Sequence, residues 1–520
     1  MAVLSYDERA EAEVYIKLCA DFKDVFSSPL PLKAALDKVA LDFPNSVALT
    51  DGVQTLTYFQ LSNRVLACVE ALRQHAVGCG MRVVIRMPNS LEFYMWYHAV
   101  HALGAVAVLV PSLLHSKEVA RIFTQCSPDF VISDAVDCAE LLSGCGLPHV
   151  GVLNPFDEVR QTSLEFSWQD SVVRSCDDLA VILYSSGSTG EPRGIMLSSR
   201  NILTNALQSY TRMMAVDLYQ ERFLVALPLA HSFGHMTCLW LPLVSASAVF
   251  VVATVTRAAL KEAFDIFKPT MFFGVPALYG ALCMTRGLRL DSVRLFVSGG
   301  DFLPAALGNV FALLYGRYIC PGYGLSEASP VVGLNIFPSD SCSESISPLL
   351  AGISYKVVPH QSEDASSGEL WVKGENIMLG YFSSDGKMGE GLAADGWLPT
   401  GDMVCKKSDG SLVMTGRRKD IIIFKGFNIY PQELEVVLLS HPDVQQAMVF
   451  AQPHSSMGQI PVACVVGRAG KSVDERDLVE HCKAALASYK IPHKIVVLSE
   501  FPLNHLGKID RRTVKKNLEC

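Results

Sequence analysis

The sequence predicts an α/β protein with a smaller α+β unit at its C-terminal end, and three observations lead there. From residue 31 to about 300, short apolar runs alternate with longer helical patterns, as expected for parallel sheets covered by helices on both faces. After about residue 350 the texture changes to short alternating strands separated by Gly and Asp turns, which predicts an antiparallel subdomain over about 350–415. From Asp420 onward helices and strands are mixed in a compact stretch, so the chain divides into 1–419 and 420–520.

In order, Lys33–Asp42 reads as a helix, and Leu56–Leu61 as a strand turning into another. Arg82–Arg86 is a strand, Leu91–Leu103 a helix, and Ala105–Val110 a strand closed by Pro111. Further strands are expected at Phe130–Ser133, Leu179–Tyr184, Phe223–Leu227, Ala248–Ala253, Met271–Phe273 and Val293–Val297. The antiparallel part begins with Tyr355–Val358, Gly368–Lys373 and Ser411–Thr415. The last unit has helices near Pro431–Ser440 and Asp474–Ser488, with strands at Ala447–Ala451 and Val462–Val466.

Composition removes several classes. The 520 residues carry 44 Lys+Arg against 52 Asp+Glu, a net charge of −8 with no long basic run, which argues against nucleic acid as the partner. Fifteen scattered cysteines contain no CxxC pair, which suits reduced thiols in a cytoplasmic protein, and the N-terminus is acidic without the apolar core of a signal peptide. Met236–Val255 is long enough to cross a bilayer, but Pro242, Thr237, Ser245, Ser247 and Thr254 interrupt it. A buried helix over about 235–245 followed by a strand is expected instead, with no integral membrane segment. Loose membrane association through an apolar patch is compatible with the sequence.

The sharpest chemical signal is Tyr184-Ser-Ser-Gly-Ser-Thr-Gly-Glu-Pro-Arg-Gly194, placed after an apolar strand and before a helix that starts near Ser199. Hydroxyls interleaved with Gly187, Gly190 and Gly194 let backbone amides close around phosphate oxygens. It is neither a Walker A loop nor GxGxxG, and Gly470-Lys-Ser has Val465 where the first Gly of a Walker A loop belongs. His231 and His235 have the i, i+4 spacing of metal ligands, but there is no HExxH glutamate, so a pocket-wall or core histidine is the better reading. Pro321-Gly-Tyr-Gly-Leu-Ser-Glu327 offers a carboxylate for Mg2+ beside phosphates, and Leu398-Pro-Thr-Gly-Asp402 one for a ribose diol; either alone is only a turn.

Together these segments resemble the core motifs of the adenylate-forming superfamily: acyl-CoA synthetases, luciferases and peptide-synthetase adenylation domains. The resemblance runs from about residue 31 to residue 512. The phosphate loop is similar to (S/T)SG(S/T)TGxPKG, Tyr323–Glu327 to YGxTE, and Thr400–Asp402 to TGD. Gly416–Asp420 with Gly426, and Pro431–Glu435, match GRxKD…G and PxE(I/L)E; Pro502–Arg511 matches PxxxxGKIxR.

The resemblance implies conversion of a carboxylic acid and MgATP to acyl-AMP and pyrophosphate, then acyl transfer to a thiol. Ser185, Ser186, Gly187, Ser188, Thr189, Gly190 and Arg193 would hold the phosphates, with Ser326 touching one and Glu327 ligating Mg2+. Gly299, Gly300, Asp301, Gly322, Tyr323 and Gly324 would line the adenine side, and Asp402 with Arg417 the ribose. Lys508 would be the adenylation catalyst, bridging the acid's carboxylate and the α-phosphate. Lys419 would be the hinge for rotation of a small, mobile C-terminal lid, and Gly426 would face the thiol channel.

By the same resemblance His231 gates the acyl pocket, with Phe272, Phe273, Gly274, Val275, Pro276 and Gly324 as walls. Amino-acid-activating members keep an Asp near His231 where this chain has Ala230, His231 and Ser232, so a hydrophobic acid, fatty or related, is implied. Coenzyme A is favoured as acceptor, with the phosphopantetheine of an acyl carrier protein or an amine as alternatives. Arg193 and Ile423 stand where relatives commonly have Lys. A non-catalytic nucleotide-binding relic is the competing class, but such relics lose the C-terminal Lys or the metal carboxylate, and both are present.

Overall fold

The computed structural model describes residues 8–156, 174–186, 192–214, 217–218, 220–285, 287–336, 345–359, 366–383, 391–424, 427–454, 458–486, 488–503 and 509–519. Two large sheets dominate. The first has seven strands in the order Gly380–Phe382, Pro192–Ser198, Leu179–Ser186, Val106–Leu109, Arg82–Arg86, Phe130–Ser133 and Gly151–Leu153. Its inner strands are parallel, and Pro192–Ser198 is antiparallel to both neighbours. The second has eight, in the order Val331–Leu334, Ile319–Gly324, Leu295–Ser298, Met271–Gly274, Arg222–Val225, Ala248–Val251, Val47–Thr50 and Thr55–Thr57.

Strand alternation explains how these sheets pack. Val83, Ile85, Ala107 and Leu109 of the first sheet join one core with Phe223, Val225, Phe273 and Val297 of the second. The residues between them point the other way: Val84, Val106, Val108 and Ile182 into one outer core, and Leu224, Phe250, Phe272 and Phe296 into another. Both faces of each sheet are therefore buried, which is why the strands read as unbroken apolar runs. Helices Tyr58–Gln74, Leu91–Ala102 and Ser199–Met214 supply the shared middle layer. Thr57 and Gln60 start the first of these with a reciprocal capping box, and Ser90 caps the second through Phe93 N–H.

Helix Glu8–Asp21 lies before the first element expected from sequence, and it packs on Ser199–Met214. Arg212, fully buried, donates to Glu11 Oε2 at 2.8 Å and to the carbonyls of Leu334, Pro348 and Leu349 at 2.5, 3.4 and 2.7 Å. The apolar stretch weighed as a span is a short buried helical run, Ser232–Val244, with a π-turn at His235–Trp240, followed by the strand Ala248–Val251. Among the described residues no helix is long and apolar enough to cross a membrane.

Strands Ser354–Val358, Ser367–Lys373, Leu398–Lys406 and Leu412–Arg417 form a four-stranded antiparallel sheet. The C-terminal residues build a five-stranded sheet with helices Pro431–Leu439 and Glu475–Ala485 on the face of Val449, Ala463 and Val465. Helix Arg511–Glu519 contributes Val514 to the opposite face, with Met448 and Phe450.

Candidate active site

One expectation about the phosphate loop is corrected. It joins two antiparallel strands, Leu179–Ser186 and Pro192–Ser198, in register Ser185↔Arg193 and Ser186↔Pro192, rather than leading straight into a helix. A full strand separates the loop from the helix beginning at Ser199, so that helix's dipole is not at the loop. The tip, with Gly187, Ser188, Thr189 and Gly190, lies outside the described residues, as do Gly426 and Lys508.

Strand Ile319–Gly324 carries Gly322, Tyr323 and Gly324, and runs into a tight turn, Ser326–Ala328. The turn is fastened at each residue. Ser326 Oγ is 2.7 Å from Ser232 Oγ; Glu327 accepts from Tyr381 Oη at Oε1 (2.8 Å) and from Met378 N–H at its carbonyl (2.9 Å); Ala328's carbonyl accepts from Asn376 Nδ2 (2.8 Å). Glu327 is half-buried, and its Oε2 has no hydrogen-bond partner among the described residues. A single carboxylate with a free oxygen beside a phosphate loop fits Mg2+, which keeps several ligands for water and substrate phosphates.

Asp402 projects from strand Leu398–Lys406 beside Arg417 of the neighbouring strand. Its Oδ2 accepts from Tyr323 Oη at 2.7 Å, and Oδ1 is 3.2 Å from Arg417 Nε. Each oxygen keeps a lone pair for a ribose hydroxyl. Burial raises this carboxyl above its ordinary value, while the Arg417 guanidinium and Tyr323 hydroxyl oppose the rise. Lys419 follows in the turn Arg418–Asp420, and its ammonium is lowered by burial and by Arg417. Arg418 Nη1 donates to buried Glu369 at 3.0 Å, fixing the near side of that turn.

His231 is half-buried at the start of the helical run, where its Nδ1 accepts from Phe233 N–H at 3.3 Å. Asn89 holds the preceding loop, donating to Leu227's carbonyl at 2.8 Å and accepting from Leu229 N–H at 2.9 Å. Phe233 stands edge-on to Phe273, with centroids 6.4 Å apart. Its ring lies so close to Gly299 that an added Cβ there would meet Cζ at 2.9 Å. Gly300 adopts φ +76°, and Asp301 Oδ1 accepts from Phe302 N–H at 2.9 Å. Gly274 and Val275 follow Phe273, and Pro276 opens helix Pro276–Met284.

Phe272 does not belong with this wall. Successive strand residues face opposite ways, and its ring is buried with Phe264, Tyr279 and Phe296 on the far side of the sheet. His235 likewise turns from His231 into the core, where Nε2 lies 2.7 Å from Tyr97 Oη and 3.2 Å from Trp240 Nε1. Burial pushes His235 down to about 3, so it is a neutral core histidine.

In the C-terminal unit both ends of the Lys508 segment are pinned. Leu503 and Ile509 form an antiparallel bridge, Asp510 N–H donates to Pro502's carbonyl at 2.8 Å, and Asp510 caps the last helix through Thr513. Arg511 pairs with Glu435, whose Oε1 also accepts from Val449 N–H at 2.7 Å.

The model of AMP-binding enzymes matches residues 36–382, and that of the AMP-binding enzyme C-terminal domain matches 433–508. The chain belongs to the AMP-binding enzyme family. Among its relatives, 4-coumarate–CoA ligase-like 6 of Arabidopsis thaliana is 29% identical, covering 94% of this chain and 92% of that protein. The long-chain-fatty-acid–CoA ligase of Bacillus subtilis is 27% identical, over 93% and 94%. The B. subtilis o-succinylbenzoate coenzyme A synthetase, solved with ATP and magnesium ion, superposes with a TM-score of 0.81 at 27% identity, over 92% and 99%. This AMP-binding enzyme is an ATP-dependent, acyl-adenylate-forming ligase of the acyl-CoA synthetase type.

Sequence reasoning missed Tyr381, Asn376, Glu369 and Asn89. None stands in a pattern that carries chemistry; each acquires its role through a contact with a residue far along the chain.

Proposed function

We propose that the protein activates a hydrophobic acid without an α-amino group, fatty or aryl, and transfers the acyl group to coenzyme A. The observation that carries this is the wall of Phe233, Phe273, Val275 and the Gly299 backbone beside His231, which offers no carboxylate to an ammonium. The CoA ligases among its relatives support coenzyme A over a carrier protein or an amine. The undivided lid is 420–520, turning at Lys419, and the thirteen described cysteines are all free thiols, as suits a reducing cytoplasm.

The residues act in sequence. Ser185 to Gly190 and Arg193 hold the β- and γ-phosphates, and Asp402 fixes the ribose. Glu327 would hold Mg2+, which supplies positive charge against the phosphates. Lys508 draws the substrate carboxylate to the α-phosphorus; a carboxylate oxygen bonds to phosphorus and pyrophosphate leaves. The lid then turns, removing Lys508 and bringing the Gly426 segment to the thiol, whose sulfur attacks the acyl carbon and expels AMP. Ile423, 51% exposed, gives that segment an apolar face where many members of the family carry a Lys.

The test follows pyrophosphate release from MgATP with a panel of fatty, aryl, hydroxy and amino acids, with and without coenzyme A. Release specific to a hydrophobic acid and accelerated by coenzyme A is expected, with Lys508→Ala lowering it at least about 100-fold. Preference for an amino acid, or unchanged release in Lys508→Ala, overturns the reading.

A further inference from the structure

We infer that Tyr381 is a positioning residue that joins the metal carboxylate to the phosphate-loop cation, fixing Glu327 and Arg193 through one side chain. This rests on the reading of Glu327 as the Mg2+ carboxylate. Tyr381 lies on the edge strand Gly380–Phe382, hydrogen-bonded antiparallel to Pro192–Ser198, the returning arm of the phosphate loop. The register pairs Tyr381 with Ile195 and Phe382 with Gly194, so the strand follows the loop directly.

Three contacts then meet on one ring. The hydroxyl donates to Glu327 Oε1 at 2.8 Å, which leaves Oε2 as the oxygen for a cation. The guanidinium of Arg193 lies over the ring face, 5.4 Å from the centroid, so a planar cation is held by a planar partner. The backbone at Gly391 closes the ring's edge, where an added Cβ would meet Met378 Cε at 2.7 Å and Tyr381 Cδ2 and Cε2 at 3.0 Å. Met378, three residues earlier, binds the Glu327 carbonyl through its N–H at 2.9 Å. One short segment thus holds the backbone and the side chain of Glu327 while it borders the loop. Arg193 departs from the Lys of relatives, and its flat guanidinium uses the ring face as a compact ammonium would not.

The test measures ATP affinity of the whole protein without acid substrate, with and without Mg2+, for wild type, Tyr381→Phe, Tyr381→Leu and Glu327→Gln. The readout is the gain in ATP affinity that Mg2+ confers, a binding quantity separate from turnover. Tyr381→Phe keeps the ring and loses the hydroxyl; it is expected to cut that gain about tenfold while metal-free affinity stays within about twofold of wild type. Tyr381→Leu is expected to lower metal-free affinity as well, because Arg193 loses its face. A role in packing alone would lower the melting temperature and leave the Mg2+-linked gain unchanged, which overturns the inference. If Glu327→Gln abolishes the gain and Tyr381→Phe does not, the positioning role fails while the metal reading stands. If Glu327→Gln also leaves the gain intact, the metal reading fails and the inference with it. Gly391→Ala, which displaces the ring with its hydroxyl intact, is expected to reduce the gain too.

Discussion

Asp402 combines burial with two partners, and its environment opposes its function. Its carboxyl is raised above the ordinary value chiefly by desolvation, so the folded protein binds the proton more tightly than the unfolded chain. The stability tied to this group is complete below the ordinary carboxylate pKa and is lost as pH rises through the raised folded value. At neutral pH the ionised side chain therefore costs stability, although it is the form that the proposed ribose contact needs. Asp402→Asn is expected to leave the melting temperature of the free protein equal or higher at pH 7.5, and to weaken ATP binding about tenfold or more; calorimetry and ATP titration check both. ATP affinity of the wild type is expected to fall as pH drops toward the raised value, and that of the Asn variant to stay flat. Asp402 and Glu327 could be picked out in sequence because their segments, each alone only a turn, follow one another in the order of the family's motifs. Tyr381 could not, since Gly380-Tyr381-Phe382 reads as any apolar strand until its partners Glu327 and Arg193 are placed beside it.

Most individual elements were legible, because a doubly covered strand or a capped helix leaves a periodic trace that needs no tertiary information. The hairpin arm Pro192–Ser198 was not, since it opens with Pro and Gly and its partner strands lie on either side in space. Helix Glu8–Asp21 was missed as well, its apolar residues crowded into Val14–Cys19 rather than recurring each turn. The Lys508 segment tests element-scale reasoning, because its anchor is another element: Glu435 on helix Pro431–Leu439 holds Arg511 at the start of the last helix. Burial raises the Glu435 carboxyl although Arg511 and the Val449 N–H oppose the rise, so its charge costs stability at neutral pH as that of Asp402 does, and Glu435→Gln is expected to leave stability equal or higher. Pyrophosphate release should fall nonetheless, since the segment anchored through Arg511 carries Lys508, the proposed catalyst. Denaturant unfolding alongside acid-dependent pyrophosphate release separates the two effects.

Across the whole molecule, the pairing of strands was beyond the sequence. Val47–Thr50 lies beside Ala248–Val251, and nothing local to either strand names the other. The shared middle layer gathers His98, His101 and His235 around Tyr97 and Trp240. Burial pushes His98 and His235 down to about 3 and lowers His101 strongly. These histidines stay neutral in the fold and take up protons first when it opens. Their contribution to stability is present above the ordinary histidine pKa of about 6.5 and is lost as pH falls from there toward the depressed folded values. The loss is about 1.4 kcal/mol per pH unit for each histidine. Melting curves at pH 7.5, 6 and 5 should show the decline, and His98→Gln should flatten it.

The Glu11–Arg212 pair also sets a schedule for synthesis. Arg212 leaves the ribosome some 200 residues after Glu11, and the carbonyls of Pro348 and Leu349 later still. At about 5–20 residues per second, roughly 17–70 s pass before every group around Arg212 has been made. Helix Glu8–Asp21 waits unpaired for the first roughly 10–40 s of that interval, until Arg212 is made, and a nascent chain halted short of residue 349 holds a guanidinium whose buried setting is not yet complete.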